Sequence, residues 1–354
     1  MRQIEYSRFS LGLHNANWRN DRPNVCQFEL TFKCPLHCRH CYTDCYNDPE
    51  EIRKELTTKQ AISILDKIYH SGIPWLTFTG GDPLARNDFF EIYSYARRRG
   101  FIIIILTSGA LITEEAADYF ENLKPFYIEL TLNSVTKSTY ELISGVKNSF
   151  EKIMAAIFRL KDRGIRLKIK TQISKHNIKE LEAIENFTKD LGLEFRPSFL
   201  LHPRLNGDLT PCSLRIEPEK AVELEKKFSA GMNKGQMKMR IKDSKQEFND
   251  GLFRCGAGKD TIYIDPYGNM VLCTVKRDPS VNLLENEISD GIGLFKRIVT
   301  GKFKSDSRCR NCRIWKLCGN CPAKASLEEG EDEAPVDYFC KIAKKIEDEC
   351  FERR

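Results

Sequence analysis

The sequence has no long hydrophobic run. Its longest purely apolar stretch, Phe101 to Leu106, falls far short of the roughly 20 residues that span a bilayer, which excludes an apolar transmembrane helix. The opening residues Met1-Arg2-Gln3-Ile4-Glu5 have neither the apolar centre nor the small-residue cleavage site of a secretory signal, so a cytoplasmic location is expected. A strong excess of one charge is also missing: the formal net charge is +6 over 354 residues. The most basic stretch, Lys234 to Lys245, interleaves an acid and brings no stacked-aromatic pattern, so it does not point to nucleic acid. With 41% hydrophobic and 30% charged residues the composition is that of a globular protein, long enough for one large domain with a smaller appendage.

Cysteine is plentiful: there are 14. Without a secretory signal they indicate metal-binding or redox-active thiols rather than a disulfide framework, because cytosolic thiols are kept reduced. The most informative stretch is Leu30 to Cys45, LTFKCPLHCRHCYTDC, where Cys34, Cys38 and Cys41 are spaced Cys-x3-Cys-x2-Cys. They follow the β-prone run Val25 to Phe32, which places them on the loop leaving the C-terminal end of a strand, where parallel α/β folds put their chemistry. Three close thiolates suit a soft multi-iron cluster and leave one iron of a cubane without a protein ligand. The alternatives are a zinc site, which normally takes four ligands in paired spacing, or buried core thiols, which the polar neighbours Lys33, His37, Arg39 and His40 disfavour.

From Val25 onward, strand-like runs alternate with amphipathic helical stretches. Strands are expected at Val25 to Phe32, Trp75 to Thr79, Phe101 to Thr107, Phe126 to Leu132, Leu167 to Ile173 and Glu194 to Leu200. Helices are expected at Thr58 to Tyr69, Asp88 to Arg99, Thr113 to Leu123, Ser149 to Arg163 and Asn177 to Asp190, several closing at a glycine. Repeated strand-helix units imply right-handed crossovers and a parallel sheet, open or curled into a barrel. Residues 1 to 24, with Asn17, Asn20, Asp21 and Pro23, read as an irregular arm packed on the core. Polar and glycine-rich segments follow the strands: Gly80, Gly81, Asp82 and Pro83 after the second, Ser108 and Gly109 after the third, Asn133 and Ser134 after the fourth. They would gather on one rim beside the cysteine loop, as a ligand-binding face should.

Past Leu200 the rhythm stops, and His202 to Arg215 reads as a connecting loop before a charged helix, Pro218 to Phe228. Cys255 then precedes a hairpin, Thr261 to Asp265 and Met270 to Thr274, with Cys273 on its returning strand. Cys309-x2-Cys312-x5-Cys318-x2-Cys321 follows, and Cys340 lies on a final helix. Two Cys-x2-Cys pairs would ordinarily suggest zinc, but the five-residue separation is short for it and further cysteines flank the quartet. Of the rest, Cys26 and Cys350 read as buried small hydrophobes, Cys45 as a partly exposed thiol, and the acidic run Glu328 to Glu333 as a solvated loop.

The cysteine spacing, the preceding strand and the aromatic Tyr42 resemble the signature loop of the radical S-adenosylmethionine (SAM) enzymes. The distal cysteines, with Gly268 and Cys273 as a Gly-x4-Cys piece, resemble the SPASM auxiliary-cluster domain. The resemblance implies a partial (β/α)6 barrel over residues 25–200, a connecting segment over 201–254 and a Cys-rich SPASM domain over 255–354. It implies a [4Fe-4S] cluster held by Cys34, Cys38 and Cys41 that binds SAM at its open iron. Gly80, Gly81, Asp82 and Pro83 resemble the Gly-Gly-Glu-Pro motif that receives the SAM ammonium, Asp82 having a shorter reach than Glu. Thr107 and Ser108 resemble residues lining the SAM pocket, Ser134 corresponds to the polar residue after the fourth strand, and Ser144 stands where many relatives carry an arginine.

The same resemblance implies two auxiliary clusters, one on Cys309, Cys312, Cys318 and Cys340, the other on Cys255, Cys273 and Cys321, which lacks one ligand that Cys212 could supply. The last pair of the quartet encloses two residues, Gly319 and Asn320, where the family frequently has three. The implied activity is modification of a precursor peptide by a 5′-deoxyadenosyl radical, with an electron donor and, because 24 residues precede the first strand, a separate peptide-recognition protein. Tailoring of a tetrapyrrole or small molecule is the alternative, and a non-catalytic iron–sulfur or zinc protein a further one. Thr274 stands where sulfatase-maturating relatives carry an acid, which argues against that role. No catalytic acid or base is assigned.

Overall fold

The computed structural model describes residues 5–19, 22–43, 47–228 and 251–350. Six strands form the parallel sheet: β1 Val25–Thr31, β2 Trp75–Gly80, β3 Ile102–Thr107, β4 Tyr127–Thr131, β5 Leu167–Gln172 and β6 Glu194–Ser198. They lie side by side in chain order. Each of the five crossovers carries a helix that the sequence leads one to expect; the helix Thr58–His70, for instance, starts at a capping box in which Thr57 and Gln60 satisfy each other's backbone N–H.

Alternation along the strands creates two faces. Cys26, Phe28, Leu30, Phe78, Ile105, Ile128 and Ile169 point to the helix layer and are fully or almost fully buried against Ile64, Leu65, Tyr93, Phe120, Ile153 and Leu160. Each such large side chain stabilises by about 1.5–3 kcal/mol relative to exposure. The pairs Phe28↔Phe78, Phe78↔Ile105 and Ile105↔Ile128 keep this face in register across four strands. The opposite face carries Gln27, Glu29, Thr79, Glu129, Thr131, Lys170 and Gln172, and it bounds a lumen rather than a second apolar layer.

The sheet does not end at β1. A seventh strand, β7 Thr261–Ile264, pairs in parallel with β1 through Cys26↔Ile262 and Phe28↔Ile264, and β8 Asn269–Val271 and β9 Val281–Asn282 extend it antiparallel. The expected hairpin is therefore welded to the barrel sheet. Its returning strand stops at Val271, so Cys273 lies in the bend beyond it rather than on the strand.

Three further expectations need correction. Residues 6–19 are a helix, Tyr6–Arg19, not an irregular arm: the Asn17-to-Pro23 turn formers mark where it ends, and aromatic contacts hold it, with the Tyr6 hydroxyl 2.9 Å from Trp75 Nε1 and the Tyr6 ring 4.6 Å from Phe126. The acidic run is not a simple solvated loop, since Glu328 ends a helix and pairs with Arg215, Asp332 pairs with Lys276, and Glu333 caps the backbone of Lys304 and Ser305. The helix expected from Asn177 begins as a 3-10 turn, Ile178–Glu180, and is α-helical only over Leu181–Asp190; the Asn177 amide is buried and ties Ser174, Gln172 and Asn133 together, joining the loops after β4 and β5. Cys45 and the basic stretch Lys234 to Lys245 lie outside the described residues. No helix among the described residues is long and apolar enough to cross a membrane.

Candidate active site

The thirteen cysteines among the described residues are all free thiols. Cys34, Cys38 and Cys41 line one cavity of about 250 Å³ at the C-terminal end of the barrel, together with Gly80, Gly81, Thr107 and Ser108. The loop that presents them is pinned at both ends. Asn47 brackets Cys34, accepting from its N–H at 3.1 Å and donating to its carbonyl at 3.0 Å. On the other side the N–H groups of His37 and Arg39 bond the carbonyls of Ser144 and Ile143 at the end of the helix Lys137–Ser144. Burial pushes the Cys38 thiol up to about 12, and the neighbouring Cys41 adds to the effect.

The Gly80-Gly81 turn lets the second strand cross close under this loop. Gly80 has φ +132°, and a Cβ on it would stand 2.1 Å from the Thr31 carbonyl oxygen; a Cβ on Gly81 would stand 2.5 Å from the carbonyl oxygens of Phe32 and Lys33. Backbone, not a flexible side chain, blocks both positions. Asp82 behaves differently from the expected open acceptor. It is fully buried, and its carboxylate accepts from the Thr107 hydroxyl at 2.9 Å, from Ser108 N–H at 3.0 Å, from the Ser108 hydroxyl at 2.6 Å and from Leu84 N–H at 3.2 Å. Burial raises its pKa, and these hydrogen bonds oppose the rise. Both hydroxyl protons are directed at Asp82, and since Thr107 also accepts from Gly109 N–H at 3.0 Å and Ser108 from Ala110 N–H at 3.3 Å, each hydroxyl keeps one lone pair as an acceptor.

Pro83 and Ser134 are not brought to the cavity surface either. Pro83 is buried in a short 3-10 turn, and Ser134 is buried with its hydroxyl engaged by Thr136 and Glu180. After β4 the cavity is lined by the neighbouring Asn133 instead. Ser144 does line it, its hydroxyl 2.8 Å from that of Ser149.

Sequence reasoning missed the lumen residues Gln27, His40, Glu129, Lys170, Gln172 and His202. A signal was present: parallel strands covered on both faces normally read as continuous apolar runs, so polar residues at every second position of β4 and β5 announce a wet face. His40 is held down to about 4 by burial first and then by Lys170 and His176. Its Nδ1 and the Nε2 of His176 are buried with no hydrogen-bond partner.

A second cavity, of about 740 Å³, lies in the C-terminal region and is lined by Cys255, Cys309, Cys312, Cys318, Cys321 and Cys340 with Arg254, Phe303 and Trp315. Mutual electrostatics divide the distal thiols. Cys318 is pushed up to about 11 by burial and then by Cys340, Cys312 and Cys309, whereas Cys273 is raised by burial and then, among charges, by Cys321 and Cys255. Cys273 also accepts the N–H of Lys276 at 3.2 Å. Cys212 is not in this cavity; its thiol lies 3.9 Å from Glu328. Cys26 and Cys350 are buried.

Among the described residues no three His, Cys, Asp or Glu side chains are drawn closely enough together to hold a single metal ion. The donor set fits a larger soft group: three thiols lie along one cavity wall, no fourth cysteine among the described residues shares it, and glycine backbone faces it. Burial keeps the Cys38 thiol protonated in the absence of a cation, and a bound iron would take all three sulfurs as thiolates.

Residues 28–188 match the family described as the Radical SAM superfamily. The chain is 24% identical over 330 residues to the AdoMet-dependent heme synthase of Methanosarcina barkeri, covering 87% of this chain and 94% of the relative. It is 26% identical over 324 residues to the mycofactocin maturase MftC of Mycobacterium tuberculosis, 86% of this chain and 79% of the relative. The match to the Fe-coproporphyrin III synthase of M. barkeri, 28% identical over 183 residues, takes in 51% of this chain and only 45% of that protein. Two solved structures share the fold: Streptococcus suis SuiB bound to precursor peptide SuiA, with TM-score 0.68, 16% identity and coverage of 94% of this chain and 80% of that one, and anSMEcpe with bound AdoMet, with TM-score 0.69, 16% identity and coverage of 94% and 98%.

Proposed function

Because this chain is a radical SAM enzyme, built on an α/β barrel with a Cys-rich C-terminal region, we propose that it modifies a precursor peptide by abstracting hydrogen from an otherwise unreactive carbon. The observation that carries this is the meeting of three free thiols, a glycine turn and two acceptor hydroxyls in one cavity at the barrel's C-terminal end. A [4Fe-4S] cluster on Cys34, Cys38 and Cys41, when bound, supplies the electron that cleaves SAM to a 5′-deoxyadenosyl radical. The chain's own contribution is placement. Gly80 and Gly81 allow close approach of SAM, Asp82 orients Thr107 and Ser108 as acceptors for its donors, and the lumen beneath holds the substrate carbon away from water.

Cys309, Cys312, Cys318 and Cys340 would hold one auxiliary cluster, and Cys255, Cys273 and Cys321 the other; the electrostatic grouping of the thiols supports that division. The set of three needs a further ligand, and the position of Cys212 beside Glu328 argues against that thiol. The enzyme would act in the cytoplasm, draw electrons from a separate electron donor, and receive its peptide from a separate recognition protein. Peptide chemistry is favoured by the coverage of MftC and by the fold shared with SuiB, whose structure holds a precursor peptide.

Tetrapyrrole chemistry is a second reading, favoured by the heme synthase match across 94% of that relative. Mass spectrometry after turnover separates the two. Reduced, cluster-reconstituted enzyme is given SAM with a candidate precursor peptide and its recognition protein, or with Fe-coproporphyrin III. A peptide mass loss of two hydrogens, or a multiple of two, is expected; decarboxylation of the porphyrin with an unchanged peptide overturns the peptide assignment.

A further inference from the structure

The lumen holds a cation without a partner. Lys170 lies at mid-strand on β5 and lines both the cysteine-loop cavity and an adjoining polar recess of about 310 Å³ that opens along β6. Among the described residues its side-chain ammonium makes no hydrogen bond and no ion pair. Its cross-strand neighbour in the β5–β6 register is Arg196, a second cation on the same face. Like charges directly opposite each other destabilise a sheet unless something neutralises them. The carboxylates nearby do not do so for Lys170: Glu129 is 3.1 Å from Arg196, and Glu225, across the recess, is already engaged. On the cavity side stands His40, whose Nδ1 is buried with no hydrogen-bond partner.

A cation facing a half-enclosed polar space calls for an acceptor with negative charge, and the Arg196 guanidinium beside it favours one with more than one lone-pair site, which describes a carboxylate. A neutral amide would leave the Lys170 charge unmatched. A phosphate would bring more charge than one spare cation balances.

We propose that the recess between β5 and β6 binds a carboxylate of the substrate through Lys170, with Arg196 beside it, and that this contact selects acid-bearing substrates and fixes the depth at which their reactive carbon enters the lumen. The inference rests on the radical SAM reading and adds the chemistry of the substrate's anchor. Two sources of that carboxylate fit equally: an Asp or Glu side chain of a peptide, and a propionate of a tetrapyrrole.

The test is binding to reconstituted holoenzyme with SAM, by the unsubstituted protein, K170Q and K170R. One arm compares coproporphyrin III with its tetramethyl ester by fluorescence quenching. The other passes a synthetic random heptapeptide-amide library over immobilised enzyme and reads enrichment of Asp and Glu over Asn and Gln by mass spectrometry. In at least one arm the acid is expected to be preferred tenfold or more, with the preference abolished in K170Q and largely kept in K170R; the arm that responds names the source. Removing an unpaired cation opposite Arg196 should leave the melting temperature unchanged or raise it, so loss of preference in a folded K170Q is interpretable, and K170R serves where K170Q melts early. Equal binding of acid and neutral probes in both arms, no binding of either acid, or a preference that survives K170Q overturns the proposal. SAM cleavage by the unsubstituted enzyme, measured alongside, reports on the radical reading independently.

Discussion

At the scale of single residues, Asp82 illustrates how an acid in a ligand-binding motif can act through its neighbours. Its four partners are all donors, so an amide in its place would turn an NH2 group toward Ser108 N–H or the hydroxyls. Leaving buried donors unmatched costs about 1–3 kcal/mol each. Asp82→Asn is therefore expected to melt earlier, by about 2–4 kcal/mol on that basis, and to bind SAM at least tenfold more weakly while keeping its full iron content. Calorimetric titration of SAM into the reconstituted variant, beside an iron assay, checks this; unchanged SAM affinity in a folded D82N would show that Thr107 and Ser108 need no such support. The sequence displayed the Gly-Gly-Asp-Pro turn clearly, but not that Asp82 faces inward, because burial of a short acid is decided by hydroxyls 25 and 26 residues away. For the same reason Ser134 and Asn133 could not be told apart: adjacent residues leaving a strand differ only in which way the loop bends.

At the scale of elements, the six strands and the helices between them were readable because period-two and period-3.6 patterns are local. What escaped was non-local. The pairing of β7 with β1 joins positions more than 230 residues apart and makes the distal hairpin part of the barrel sheet. The helix Tyr6–Arg19 escaped because its end carries turn formers, and its stability comes from Trp75 and Phe126 on other elements. A side-chain clasp between elements was equally invisible: Arg215, on the loop after β6, forms a two-pronged pair at 2.6 Å with Glu328 on the helix Pro322–Glu329, while its guanidinium lies 4.6 Å from the Tyr338 ring centre. Side-chain exposures of 8% and 12% make this a buried pair. Breaking one side leaves a buried charge alone, at a cost of about 3–5 kcal/mol, whereas replacing both by apolar groups of similar size is often neutral. Glu328→Ala should therefore lower denaturant stability by about that amount, and the double variant R215M/E328L should recover most of it. If E328A unfolds like the unsubstituted protein, the clasp contributes nothing to holding the helix Pro322–Glu329 against the segment after β6.

Across the whole molecule, the barrel supplies one thiol-lined cavity at its C-terminal end and the C-terminal region supplies a second, larger one, with β1 and β7 as the shared wall between the two halves of the sheet. The division of labour is chemical. The first site has three thiols and room for a ligand beside them, and the second has six of the seven distal cysteines around one space. If the first site alone initiates radical chemistry, its thiols can be removed without emptying the other. The most direct measurement is 5′-deoxyadenosine formation and iron content in the reduced, reconstituted enzyme and in the C34A/C38A/C41A variant. The unsubstituted enzyme should cleave SAM, and the variant should form no 5′-deoxyadenosine above background while retaining the iron and the absorption of the distal clusters. Undiminished SAM cleavage by the variant would contradict the assignment of Cys34, Cys38 and Cys41 as the ligands of the SAM-binding cluster.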